Sequence, residues 1–245
     1  MKRQNVRRLL LISALLLFPV TMWYFSPYLI LNAAVRHIIN GSFIVFTLMF
    51  VLSAFFGRVW CAACCPTGGL QECAFLITDR EPKQGGRNRV KYVVWGVWLA
   101  AVAACWIAGR GKARISFFFM TDHGISISSI YLYIVYYGIV ILFLIPAVCA
   151  GKRAACHYFC WMAPFMIFGA KTGRLLRLPQ LHMRADKEKC VSCGMCRKAC
   201  PMSVNVPALV LTGSIRDDEC IQCGACADIC PQNVLHYSMS RKMAE

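Results

Sequence analysis

The sequence predicts an α-helical membrane protein, four transmembrane helices arranged as two hairpins, followed by a compact cysteine-rich α+β domain. Three observations carry this. Of 245 residues, 58% are hydrophobic and only 16% charged, where a soluble domain carries about 25% charged residues; mean hydropathy is +0.54. The formal net charge of +16 is concentrated in residues 1–183, which hold 19 of the 27 basic and 4 of the 11 acidic residues. That is the pattern of a positive-inside membrane protein, and it argues against a nucleic-acid partner. Sixteen cysteines recur in short motifs at the ends of apolar stretches and in the tail, too widely spread for a small secreted disulfide scaffold.

Four apolar stretches run Leu9 to Phe25, Phe43 to Phe56, Tyr92 to Ala108 and Ile130 to Ala150. Each approaches the roughly 20 residues a spanning helix needs; the second extends back through Ile38–Ser42. No small-x-small cleavage site follows the first, so it reads as a span rather than a removed leader. Basic residues set the orientation. Lys2, Arg3, Arg7 and Arg8, then Arg58, Arg80, Lys83, Arg87, Arg89 and Lys91, then Lys152, Arg153, Lys171, Arg174 and Arg177 fall on one side. Arg36, Arg110, Lys112 and Arg114 fall on the other. Both termini and the tail are therefore expected in the cytoplasm, with the chain multi-pass in the cytoplasmic (inner) membrane and in contact with its lipid. Residues 1–170 form the expected membrane domain, 171–183 a basic interfacial linker, and 184–245 the cysteine-rich unit.

The strongest motif is in the tail. Cys190-x-x-Cys193-x-x-Cys196-x-x-x-Cys200-Pro201 recurs as Cys220-x-x-Cys223-x-x-Cys226-x-x-x-Cys230-Pro231, the spacing of a bacterial two-cluster ferredoxin. Three thiolates on a tight loop cap three corners of one cubane, and the fourth cysteine lies too far along to return to its own loop. Two [4Fe–4S] clusters are thus expected, one on Cys190, Cys193, Cys196 and Cys230, the other on Cys220, Cys223, Cys226 and Cys200. Structural zinc sites show two C-x-x-C pairs rather than a three-cysteine run ending in C-P, and disulfides do not persist in a cytosolic domain.

A second motif closes two of the apolar stretches. A shift of 95 residues lays Arg58 on Arg153, Cys61 on Cys156 and Cys65 on Cys160. If the helices continue, each C-x-x-x-C is an i,i+4 pair on one face. Four converging thiolates would suit a third iron–sulfur cluster or another metal; a redox-active dithiol and packed, idle thiols are the other readings. Cys64 is a substitute ligand in any of them. Arg58, Lys152 and Arg153 sit one turn earlier, as headgroup anchors or as counter-charges. Cys73, Cys105 and Cys149 have no partner spacing.

With both motifs in place, the chain resembles the NapH-type membrane ferredoxins, with NosR, MauN and CcoG as wider relatives. It does so from the first helix to the C-terminus: membrane helices, two C-x-x-x-C motifs, then a two-cluster ferredoxin domain. The first motif matches from Cys61 to Pro66; the second departs, with Trp161 where the family has proline. The resemblance implies a membrane electron-transfer component, quinol-dehydrogenase-like, of a larger oxidoreductase. It would pass electrons between the quinone pool, or a cytoplasmic donor, and a partner redox protein or catalytic subunit. The alternative is an assembly or maturation factor that reduces a metal or thiol for another membrane complex. No motif marks a quinone site; Arg36, His37, Asp122 and His123 on the outer side are the candidates, His being able to exchange protons near neutral pH. Trp23, Tyr24, Tyr131 and Tyr133 read as an interfacial aromatic belt.

Overall fold

The structure is a computed structural model that describes residues 2–83, 85–109 and 112–240; Arg110 and the last five residues of the expected C-terminal unit lie outside the described residues. The first apolar stretch is not one straight span. Helix α1 (Lys2–Leu16) is followed by α2 (Phe18–Thr21) and a 3₁₀ turn (Met22–Phe25), with a bend of 60° between the two halves. The cause is Pro19, at the start of α2, which has no N–H to continue the ladder and whose ring clashes with the preceding turn. Pro27 then opens α3 (Pro27–Val35), where a proline's fixed φ suits a first helical turn. A short strand, β1 (Ile38–Asn40), follows and pairs in parallel with β2 (Arg114–Ser116), Ile38 opposite Arg114 and Asn40 opposite Ser116. Residue patterning did not signal this pair.

Asn40 caps α4 (Gly41–Phe56), its side-chain oxygen accepting from the Phe43 N–H at 2.9 Å. At about 1.5 Å per residue the 16 residues of α4 fall short of the ~30 Å hydrocarbon core. It ends at Gly57, with φ +59, where a side chain would also run into Gln222, an added Cβ lying 2.6 Å from its Nε2. Two short helices, α5 (Val59–Ala63) and α6 (Pro66–Cys73), carry the first cysteine motif. Helix α7 (Val90–Ala108), with the 3₁₀ turn before it, and α8 (Ile130–Ala150) are long and apolar enough to cross a membrane. Few residues of either helix are fully buried within the chain, although Trp98 and Phe143 pack into the core. Two membrane-length helices are therefore evident, and a third if the bent first segment is counted as one.

After α8 the chain turns at Gly151 and runs through α9 (Ala154–Tyr158) into α10 (Ala163–Leu175), which lies along α4. Gly169 permits this contact: an added Cβ there would stand 2.0 Å from Ser53 Oγ, the close small-residue approach common between membrane helices. The expected linker 171–183 is corrected here. Its first residues are the last turn of α10, and its last ones begin β3 (Gln180–Ala185), the central strand of the tail domain. The reason is pairing: β3 runs antiparallel to β4 (Ser214–Ile215) on one side and to β5 (Leu235–Ser240) on the other, with Gln180 opposite Ser240 and Ala185 opposite Leu235. Short helices α11 (Met195–Lys198), α12 (Val206–Val210) and α13 (Ala225–Asp228) complete this unit. One continuous core joins it to the membrane part, running from Phe46 and Met49 through Cys61, Cys156 and Met166 to Met183, Met202 and Ile221.

Candidate metal centres

The two tail loops are built alike. The third cysteine of each run lies on one helical turn, Cys196 on α11 and Cys226 on α13, whose N-cap glycine is left-handed: Gly194 at φ +74 and Gly224 at φ +72. Ser192 and Gln222, and later Ser203 and Asn233, are also left-handed at matching places in the two halves. That repeated, non-glycine strain turns backbone N–H groups inward. The N–H groups of Gln222, Ala225 and Ala227 approach the sulfurs of Cys220, Cys223 and Cys226, and those of Met202 and Val204 approach Cys200. Cys190, Cys193, Cys196 and Cys230 line one cavity together with Val210, Val234 and Leu235. Cys200 lies within charge-coupling range of Cys220, Cys223 and Cys226. Burial pushes the free thiols up, Cys200 to about 11 and Cys220 to about 12, so loading with metal has to displace protons. Thiol donors in fours, inward N–H groups and an apolar shell fit a [4Fe–4S] cluster at each loop. Such a cluster supplies one-electron transfer.

The C-x-x-x-C pairs are positioned differently. Neither helix continues through its motif: α5 stops at Ala63 and Cys65 is extended, while Phe159 breaks α9 before Cys160. The pairs are nevertheless brought together. Cys61, Cys65, Cys156 and Cys160 are each 3–4% exposed and share one core. Cys160 hydrogen-bonds Cys156, and Gln71 Nε2 donates to Cys156 Sγ at 3.0 Å. Cys61 Sγ stands 3.8 Å from Met166 Sδ, and Cys65 Sγ 3.2 Å from Thr67 Oγ1. The hydrogen bond from Cys160, helped against burial by Arg153 and Arg58, pulls the Cys156 thiol down. Cys64 is exposed at the end of α5, apart from the four buried thiols; Cys73 and Cys149 are likewise at the surface. Among the described residues no three His, Cys, Asp or Glu side chains close around a single-ion position. The same is true at the two tail loops.

Two buried carboxylates organise this region, and residue patterning missed both. Glu72 takes a bidentate contact from Arg7 at 2.6 and 2.8 Å and a third from Arg153 Nη2 at 2.6 Å, while Arg153 Nη1 donates to the Cys61 carbonyl at 2.8 Å. Glu219, in the tail, receives Arg58 at 3.0 Å and also Lys91, with His157 Nδ1 3.6 Å away. Arg58 donates as well to the Asp218 carbonyl at 2.8 Å. Burial pushes both carboxyls up, but the guanidinium and ammonium partners more than offset it and hold them below the usual range. Burial drives His157 down to about 4, so it is neutral. The repeated arginines are thus fully buried counter-charges rather than headgroup anchors. The one sequence signal for their partners is the repeat itself, since a buried arginine requires a carboxylate.

The outer-side candidates for a quinone do not form a site. His37 stacks on Trp106 at 4.7 Å and its Nε2 lies 2.9 Å from the Trp106 carbonyl oxygen. Arg36 lies over Phe119, and Asp122 and His123 pair with each other in solvent. An apolar cavity of about 380 Å³ instead lies between the 18–28 segment and α8, with Pro66, Thr67, Trp161 and Met162 along one wall. Those four residues directly follow Cys65 and Cys160.

Two family models match parts of this chain. A 4Fe-4S dicluster domain covers residues 189–235, and a 4Fe-4S binding domain covers residues 41–84, that is, α4 and the first cysteine motif. No curated protein and no solved structure matches. The chain carries ferredoxin-type iron–sulfur domains, which point to electron transfer, and helices able to associate it with a membrane.

Proposed function

We propose that this chain is a NapH-type, membrane-anchored electron-transfer subunit with four spans and both termini in the cytoplasm. It passes electrons between the quinone pool, or a cytoplasmic donor, and a partner redox enzyme. One observation carries the reading: the Cys220 loop is fastened to the C-x-x-x-C region through the Arg58–Glu219–Lys91 contact, which supports electron passage between these two cysteine sets better than a loose tether would. In this reading Cys61, Cys65, Cys156 and Cys160 hold a third cluster. Arg58 and Arg153 offset its negative charge, and Gln71 orients Cys156. The apolar cavity against Pro66 and Trp161 takes the quinone ring from the lipid, as its size suits a small-ligand pocket. At the far end Cys193 is exposed, the natural contact for a soluble partner.

The test is anaerobic purification in mild detergent, followed by iron and sulfide counting and by reduction with a short-chain quinol. About twelve iron and twelve sulfide per chain are expected, about eight of each from the tail, together with quinol-driven bleaching of the cluster absorbance. Zinc without acid-labile sulfide would remove the iron–sulfur reading. Full iron with no response to quinol, but rapid reduction by a soluble donor, would leave the carrier role and remove the quinone.

A further inference from the structure

A second cavity, of about 420 Å³, opens where the end of α10 meets the tail unit. Its lining is cationic: Arg174 and Arg177 from the membrane part, Arg216 from the tail, and His182 at the start of β3. Asp217 also lines it, but its oxygen is engaged by the Glu219 N–H at 2.7 Å. Asp218 is taken by Lys171 at 2.7 Å and reaches Arg174 only at 3.7 Å. Among the described residues, Arg177 and Arg216 have no carboxylate partner. Burial, and then the charge of Arg174, hold the Arg216 guanidinium below its usual value. Three arginines from two parts of the chain thus face one cavity; Arg174 shares Asp218 with Lys171, and Arg177 and Arg216 bring more positive charge than the one lining carboxylate, Asp217, offsets, which makes the cavity attractive to an anion.

Two further features point to the membrane surface. Arg177 occupies the left-handed position that ends α10, at φ +54, with Leu178 N–H closing back to Gly173 O at 2.9 Å. Glycine is the usual residue there, so the strain places a long cationic side chain at the cavity where a helix end alone would not ask for one. Beside it Leu175 and Leu176 are 82% and 62% exposed, apolar side chains at the level where basic residues meet headgroups.

We propose that this cavity binds the phosphate of an acidic phospholipid headgroup, held by Arg174 and Arg177 on one side and Arg216 on the other, with the acyl chains against Leu175 and Leu176. The lipid then fastens the tail unit to the membrane unit beside β3 and next to the Cys220 loop, since Cys220 also lines the cavity. Phosphate chemistry would serve a soluble phosphate ester equally, and the exposed leucines favour the lipid.

The test uses the full chain in nanodiscs of phosphatidylcholine alone, the same with added phosphatidylglycerol, and phosphatidylcholine discs with inorganic phosphate in the buffer. Lipid retained after detergent exchange is read by native mass spectrometry, and phosphate binding by calorimetry. The wild-type chain should retain about one phosphatidylglycerol. Arg177→Gln and Arg216→Gln, both at exposed positions, should each weaken retention at least about fivefold, the scale of one basic residue at an acidic surface. Lys187→Gln, exposed on the tail, should change nothing. Saturable phosphate binding that the same two variants weaken, with no preference for phosphatidylglycerol, would keep the phosphate site and reassign it to a soluble ligand. Equal retention in wild type and both variants, or no saturable binding of either probe, would overturn the proposal.

Discussion

The tail loops and the C-x-x-x-C pairs are both sets of four cysteines, yet they are made in opposite ways. In the tail, three of each expected set of four thiols come from a single loop of seven residues, and the fourth comes from the other motif, Cys230 lying after Cys196 and Cys200 before Cys220. The backbone conformation is written locally, in Gly194 and Gly224 and in the matched left-handed residues. In the membrane motif no local conformation holds the set together, because both helices break between their two cysteines. Long-range partners hold it instead: Arg7 and Glu72 from α1 and α6, and Glu219 from the far end of the chain. A site made by a loop is expected to survive excision, and a site made by docking to form only when the whole chain is assembled.

The most severe way to break that contrast is to remove ligands. Cys220→Ser should delete about four iron atoms and one of the two low-potential signals, while the other tail cluster and the membrane set remain. Cys61→Ser, Cys65→Ser, Cys156→Ser and Cys160→Ser should behave as one group, each removing the same iron increment or abolishing quinol-driven reduction and sparing both tail clusters. Iron analysis and EPR on the same preparations distinguish the cases. Four membrane variants with unchanged iron and unchanged electron transfer would make those cysteines packing residues only.

Next in size is the docking itself. Glu219→Gln leaves Arg58, which is 3% exposed, and Lys91, which is 0% exposed, without their carboxylate. Breaking one partner of a buried pair costs about 3 kcal/mol or more. The variant should retain both tail clusters and lose the third iron increment, and trypsin should begin to cut between α10 and β3. If instead it lost tail iron first, the tail would depend on docking as well, and the two regions would not differ as described.

The same division explains what residue patterning could see. The two loops and the apolar stretches at α7 and α8 are properties of short windows and are where spacing and hydropathy place them; the crossing of Cys200 and Cys230 is an expectation from the same spacing. The kink at Pro19 was visible as a proline but outweighed by the apolar run around it. The linker at 171–183 was misread because basic residues and Pro179 look like a surface segment, whereas β3 is fixed by pairing with residues 214–215 and 235–240. Glu72 and Glu219 carry no local signature at all. Each becomes meaningful only once an arginine 81 or 161 residues away lies beside it.

The smallest effect sharpens the comparison from the surface. Glu81, in the loop after α6, pairs with Arg197 on α11 at 2.8 Å, and both side chains are substantially exposed. This contact also joins membrane part to tail, but in water, where such a pair is worth at most about 1 kcal/mol. The hydrogen bond from Arg197 holds the Glu81 carboxyl below its ordinary value of 4.5. A depressed carboxyl stabilises the docked form above the unfolded value, and that stabilisation is lost as pH falls below about 4.5. Glu81→Gln should therefore lower the midpoint of thermal undocking only slightly at neutral pH and low salt. The difference from wild type should shrink on raising salt toward 1 M, where the screening length is about 3 Å, and vanish once pH falls through the depressed value of the Glu81 carboxyl. Iron content and quinol response should stay as in wild type throughout. A Glu81→Gln defect as large as that of Glu219→Gln would mean the tail is held chiefly at its exposed edge, and the buried latch at Arg58 would lose its role in making the membrane site.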